Sequence, residues 1–219
     1  PNATLAAVVI VYSLGLIQPA EFTEILKVRR TEFVWALVAM AGVALLGTLQ
    51  GIVVAIIVSL AALAFQLSDP PLHEHARKRG THIFRPRSPE HPLDETFPGL
   101  LLLRPQGRIF FANAERLAQK MRRLVEAANP SVVVIDCRGI SDLEYTALKM
   151  LIEAEKRRRE EGVSLWLVGL NPGVYEMVSR SSLGAALGRE RMFYKLEQAV
   201  AAYEAAHPAG APPVQGSAA

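Results

Sequence analysis

Cysteine is nearly absent. Cys137 is the single one in 219 residues, so the chain has no internal disulfide framework and no cysteine-based zinc site. Charge is missing over one long stretch: from Phe33 to Phe65 there is no Asp, Glu, Lys, Arg or His. A helix without a polar face cannot lie on a water-exposed surface, so the natural solvent for this run is a bilayer. The alternative is a hairpin buried in a large soluble protein. No Gly-rich phosphate loop occurs, no paired carboxylates sit in an apolar setting, and Ser181-Ser182 has no histidine in a recognisable pattern; these absences argue against an enzyme, and no catalytic residue is expected. No basic leader precedes the first apolar stretch, so no signal peptide is expected. The chain begins at Pro1, already inside an apolar run, as expected of a piece cut from a longer protein.

The uncharged run is too long for one crossing. About thirty-three residues of helix would measure about 50 Å against a hydrocarbon core of about 30 Å. Gly47-Thr48-Leu49-Gln50-Gly51 supplies turn chemistry at its middle, so a helical hairpin is expected, one arm to about Leu46 and a second from about Ile52 to Leu67. A third apolar segment, Ala3 to Ile17, is marginal for a full span. Ala20 to Glu32 mixes Phe22, Ile25, Leu26 and Val28 with Glu21, Glu24, Lys27, Arg29 and Arg30, as suits an amphipathic helix at a membrane surface. Lys27, Arg29 and Arg30 precede the hairpin and Arg77, Lys78 and Arg79 follow it. Two crossings put both clusters on one side, and the positive-inside rule makes it the cytoplasm.

The net charge of +3 comes from local clusters such as Arg157-Arg158-Arg159, not from a basic stripe with interleaved aromatics, so nucleic acid is not an expected partner. Residues 69–98, rich in Pro and His, are expected as a linker leading into a soluble domain, with a short edge strand at Thr81 to Arg85. His73-Glu74-His75 fits no zinc spacing and is read as solvated loop histidines, so no metal is expected.

From Gly99 the pattern becomes α/β. Leu100 to Leu103 and Arg108 to Phe111 read as strands joined by a hairpin turn at Pro105-Gln106-Gly107. Asn113 to Ala128 is an amphipathic helix. Val132 to Ile135 is a wholly apolar β-branched run expected as a central strand covered on both sides, and Leu165 to Val168 is expected as another central strand. Ser141-Asp142-Leu143-Glu144 has the form of a capping box opening a helix to about Glu161; Asp136 is expected as a strand-end hydrogen-bonding residue, not as half of a carboxylate pair with Glu144. Asn171-Pro172 opens another helix, Phe193-Tyr194 is a last edge strand, and Leu196 to Ala206 a last helix. Residues 207–219 form an expected disordered tail. The fold class expected is therefore a membrane all-α segment of three apolar helices (residues 1–68), a linker (69–98) and a soluble α/β domain (99–206).

The stretch Asp136-Cys137-Arg138-Gly139-Ile140-Ser141-Asp142-Leu143-Glu144-Tyr145-Thr146-Ala147-Leu148 resembles the signature of STAS domains, found in sulfate transporters and anti-sigma-factor antagonists. In that family a strand ends in Asp-hydrophobic-Ser-Gly and the next helix opens with Asp-Ser-Ser/Thr-Gly-Leu. Asp136 and Gly139 fall on the family's Asp and Gly, and Glu144 on its second acid. Thr146 falls on the hydroxyl residue phosphorylated in the antagonists. The resemblance thus implies a signature loop of Asp136, Gly139, Ser141 and Glu144 and makes Thr146 the candidate regulatory phosphoacceptor; Arg138, Tyr145 and Ala147 depart from the pattern.

Apolar span, basic amphipathic segment, hairpin, linker and STAS domain in this order resemble the carboxy-terminal end of SulP anion transporters, as does Phe110-Phe111-Ala112-Asn113-Ala114. The resemblance implies a secondary anion transporter for sulfate, bicarbonate or dicarboxylate, working as a homodimer in a bacterial inner or plasma membrane. The anion site would lie upstream, with no substrate-binding residue in this fragment and no cofactor. Membrane lipid and a cytoplasmic protein partner of the STAS domain are the other expected partners. The alternative is a membrane-tethered STAS regulatory protein working by partner binding or a phospho-switch.

Overall fold

The computed structural model describes residues 2–15 and 18–207, apart from the side chain of Thr48. The tail expected from residue 207 lies outside the described residues except for His207, and so do Leu16 and Ile17 at the end of the first apolar segment. The chain divides into two compact units, one up to Phe65 and one from Gln66 onwards.

The first unit is helical: α1 (Asn2–Gly15), α2 (Pro19–Val28), α3 (Arg30–Leu46) and the greater part of α4 (Thr48–Leu67). Pro19 starts α2, where its missing N–H costs nothing. Arg29 is extended and separates α2 from α3, so the expected amphipathic segment ends earlier than Glu32. The hairpin break narrows to Gly47, whose φ of 87° suits a residue without a Cβ; α4 then starts at Thr48, ahead of the expected Ile52. Gly51 faces the backbone of Val43 so closely that a methyl group there would collide with it. Apolar side chains point outward along these helices, Leu5, Val8 and Val11 on α1 and Ile52, Ile56, Leu60 and Leu63 on α4. Two stretches among the described residues are long and apolar enough to cross a membrane, one within Asn2–Val28 and the other Leu49–Leu67; α3, with 17 residues, is shorter.

The second unit is built on a six-stranded sheet in the order β2-β1-β3-β5-β7-β8, formed by β1 (Leu72–Arg77), β2 (Phe84–Pro86), β3 (Leu100–Pro105), β5 (Val132–Asp136), β7 (Ser164–Val168) and β8 (Met192–Phe193). β3, β5, β7 and β8 run parallel, while β1 is antiparallel to both neighbours. The apolar runs divide by period two. Leu101, Leu103, Val133 and Ile135 pack under α5 (Phe111–Ala128), α6 (Tyr145–Glu160), α7 (Pro172–Ser179) and α8 (Ser182–Leu187), while Leu100, Leu102, Val132 and Val134 pack against α9 (Leu196–Ala206). Val132 to Ile135 is thus a central strand covered on both faces, as its composition required.

Three expectations are corrected. Residues 69–98 do not form a linker, since they contribute β1 and β2 to the sheet, β1 between β2 and β3. The segment before β1 is also held by α5: Asn113 Nδ2 donates to the Leu67 carbonyl, and Lys120 Nζ meets Asp69 at 2.7 Å and the Pro70 carbonyl at 3.1 Å. Pro105-Gln106-Gly107 is not a hairpin turn. Gly107, at φ 93°, leads the chain out of the main sheet, and β4 (Gly107–Ile109) pairs in parallel with β6 (Ile140–Leu143). Ser141 to Glu144 is not a capping box, because Ile140 and Leu143 are buried in that strand. The helix begins only at Tyr145, with Glu144 ahead of it and making no side-chain cap.

Candidate functional site

The signature loop leaves the carboxyl end of β5 and returns as β6 and α6. Its anchor is Asp136, 2% exposed. Oδ1 accepts from the Arg138 backbone N–H (3.1 Å) and Nε (3.0 Å); Oδ2 accepts from Arg104 Nε (3.0 Å) and Arg138 Nη2 (2.7 Å). Burial alone would raise this carboxyl, but the hydrogen bonds from Arg138 and Arg104 outweigh it and hold Asp136 below the usual carboxylate range. The backbone bond from Arg138 tightens residues Cys137–Gly139 into a 3₁₀ turn. Gly139 then passes the Pro105 carbonyl so closely that no side chain fits, and Gly169 (φ 65°) makes room for the stem of Arg138.

The far side of the loop faces water. Arg108, on β4, bridges two carboxylates of the loop, Nε to Asp142 Oδ2 at 2.9 Å and Nη2 to Glu144 Oε1 at 2.8 Å. Asn171 fixes the loop from behind: Nδ2 donates to the Ile140 and Ser141 carbonyls (3.0 and 3.2 Å) while Oδ1 accepts from the Val174 N–H and caps α7. Thr146 lies in the first turn of α6 with its side chain exposed, next to Tyr145, which is also exposed; Ala147, next along, is buried, so a small residue is required there.

The structure therefore brings Asp136 and Gly139 together at the buried end of the loop and leaves Ser141, Glu144 and Thr146 at its exposed end. Asp136 and Glu144 each have their own arginines and do not form an acid–base pair. Arg104, Arg108 and Asn171 are site residues that sequence reasoning missed. Asn171 was visible only as a helix start, and nothing in the spacing of the two arginines names their carboxylates.

His75, expected in a solvated loop, is buried in β1, and burial, aided by the Arg104 charge, lowers it to about 4, so the ring is neutral at pH 7. Glu74 pairs with Arg87. Among the described residues no group of three or more His, Cys, Asp or Glu side chains is placed to hold a metal ion. Cys137 is buried, which pushes its thiol up to about 12 and makes it a poor nucleophile.

Residues 91–199 match the STAS domain family. Over 213 residues the chain is 24% identical to high affinity sulfate transporter 2 of Stylosanthes hamata, covering 93% of this chain and 32% of that protein. It is 27% identical, also over 213 residues, to sulfate transporter 3.1 of Arabidopsis thaliana, covering 92% and 32%. The chain thus spans about a third of the length of the curated relatives it matches. The murine Solute Carrier 26 family member A9 anion transporter, solved in the inward-facing state, shares the fold with a TM-score of 0.74 at 19% identity, over 87% of this chain and 31% of that one. The alignments to the sulfate transporters run through both units, and the second unit carries a STAS domain, matched over residues 91–199.

Proposed function

We propose that this chain is the carboxy-terminal portion of a secondary anion transporter, with its first unit in the membrane and its STAS domain regulating transport from the cytoplasm. The observation that carries the reading is the union, in one chain, of outward-facing apolar helices with a charged α/β domain. Ile57 and Leu60 of α4 are 60% and 61% exposed, an arrangement unfavourable in water and favourable in lipid. On this reading α1, α3 and α4 are three membrane helices. α3 and α4, about 26 and 30 Å long at 1.5 Å per residue, cross as a hairpin around Gly47. The basic residues on either side of the hairpin set the STAS domain in the cytoplasm.

Sulfate is the substrate class named for the plant relatives and is the first anion to test. On the SulP resemblance the anion site lies in the rest of the transporter, with which the uncharged run from Phe33 to Phe65 accords, and the transporter acts without enzymatic chemistry and as a homodimer. The exposed end of the signature loop, with Thr146 as phosphoacceptor, is the regulatory surface for a cytoplasmic partner. A phosphate on Thr146 would meet the positive end of α6 and the repulsion of Glu144, so it would alter docking more than folding.

The test is uptake of labelled sulfate by cells expressing the whole protein, with and without residues 66–207. Saturable uptake that changes on deletion is expected. Absence of anion uptake by correctly inserted whole protein, across sulfate, bicarbonate and dicarboxylates, overturns the transport reading.

A further inference from the structure

On the helix-covered side of the sheet, between α5, α6 and the strands β5 and β7, lies a cavity of about 520 Å³. Ile135 of β5, Leu117 and Met121 of α5, and Met150 and Leu151 of α6 line it. Its size is that of a small-molecule site. A ligand of matching shape would add dispersion contacts to its apolar walls.

One charged group of the lining is buried. Glu155, on the inner face of α6, is 4% exposed, and its one ion-pair neighbour among the described residues is Arg159 at 3.8 Å, beyond hydrogen-bond distance. A buried carboxylate without a good donor is unfavourable, and a donor arriving with a ligand relieves it. The lining carries Glu115, Arg122 and Glu126 from α5, Glu153, Glu155, Arg157 and Arg158 from α6, and Glu161 just beyond it, three arginines against five glutamates, a balance that favours a hydrogen-bond donor over an anionic head group.

We propose that the STAS domain binds a compact apolar ligand with a single N–H donor in this cavity, its apolar body against Met121, Met150 and Leu151 and its N–H directed to Glu155. The inner side of the signature loop also lines the space, through Cys137, Ile140 and Leu143, and the site does not depend on the transport reading.

The test uses the full chain in lipid nanodiscs with ¹³C-methyl methionine. The probes are N-phenyl-1-naphthylamine and 1-phenylnaphthalene, similar aromatic bodies with and without an N–H; Met40 of α3 reports partition into the lipid. The expected result is saturable shifts of the Met121 and Met150 methyl signals, with the amine binding about tenfold more tightly, the gain of roughly one added charge-assisted hydrogen bond. Glu155→Leu is expected to abolish that preference and keep the response to both probes, and Leu151→Trp, which fills the space, to remove both responses. Absence of Met121 and Met150 shifts in the parent chain overturns the cavity, and equal affinity of the parent for the two probes overturns the role of Glu155. Both readings need no variant, so they stand even where a substitution unfolds the domain.

Discussion

Replacing Asp136 by Asn tests the electrostatic anchor of the signature loop. The parent carboxylate is 2% exposed and is held by two arginines and one backbone N–H. Removing one partner of a buried ion pair typically costs about 3–5 kcal/mol. Here the arginines keep some water, with Arg104 and Arg138 side chains 22% and 45% exposed, and the Asn carbonyl still accepts from Arg138 N–H. That places the loss at about 2–3 kcal/mol, or roughly 5–10 °C in melting temperature for a domain of this size. The assay is thermal unfolding of residues 66–207 by circular dichroism. The carboxyl lies below its ordinary 3.8 in the folded state, so its contribution is fully present above that value and lost as the pH falls through the lower folded value. The gap between parent and variant should therefore be constant near neutrality and close below about pH 3.8. A variant that melts within a degree of the parent at pH 7, or a gap that persists unchanged into strong acid, would refute the reasoning.

Other tests follow from the same structure. A fragment beginning at Gln66 should be soluble and unfold cooperatively, whereas one beginning at Arg77 should aggregate, because it lacks most of β1 and bares the edge of β3; light scattering after purification separates them. Asn171→Ala removes the cap of α7 and two bonds to the loop, and should lower stability by about 1–2 kcal/mol in urea titration. Thr146 is exposed, so Thr146→Glu and Thr146→Val should both leave the melting temperature nearly unchanged. Sulfate uptake by the whole protein should change with Glu alone, and equal uptake by both variants and the parent would remove Thr146 from the site.

The elements that could be read from the sequence are those whose burial is written in their own residues. Val132 to Ile135 and Leu165 to Val168 are buried on both faces and so are apolar at every position or nearly so. β1 could not be recognised in this way. Its residues, Leu-His-Glu-His-Ala-Arg, owe their place to partners elsewhere, Arg87 for Glu74 and Glu95 for Arg77, with His75 buried as a neutral ring. β6 was hidden by a local pattern that also describes a helix cap, and only its pairing with β4, more than thirty residues earlier, decides for a strand. In the signature loop Asp136 and Gly139 were legible only through the resemblance to the STAS signature. Its arginine clamps were not, because Arg104 reaches Asp136 from 32 positions away.

The central claim is that the apolar helices cross a membrane and set the STAS domain on the cytoplasmic side. Its most direct test is labelling of intact cells with an impermeant thiol reagent, using single cysteines placed at Gln50 and at Arg79 of the whole protein with its other cysteines removed. Cys137, buried and with its thiol pushed up to about 12, would stay silent even if retained. Labelling of the Gln50 position from outside, and of the Arg79 position only after the membrane is opened, is the predicted result. Labelling at Arg79 in sealed cells would contradict the account.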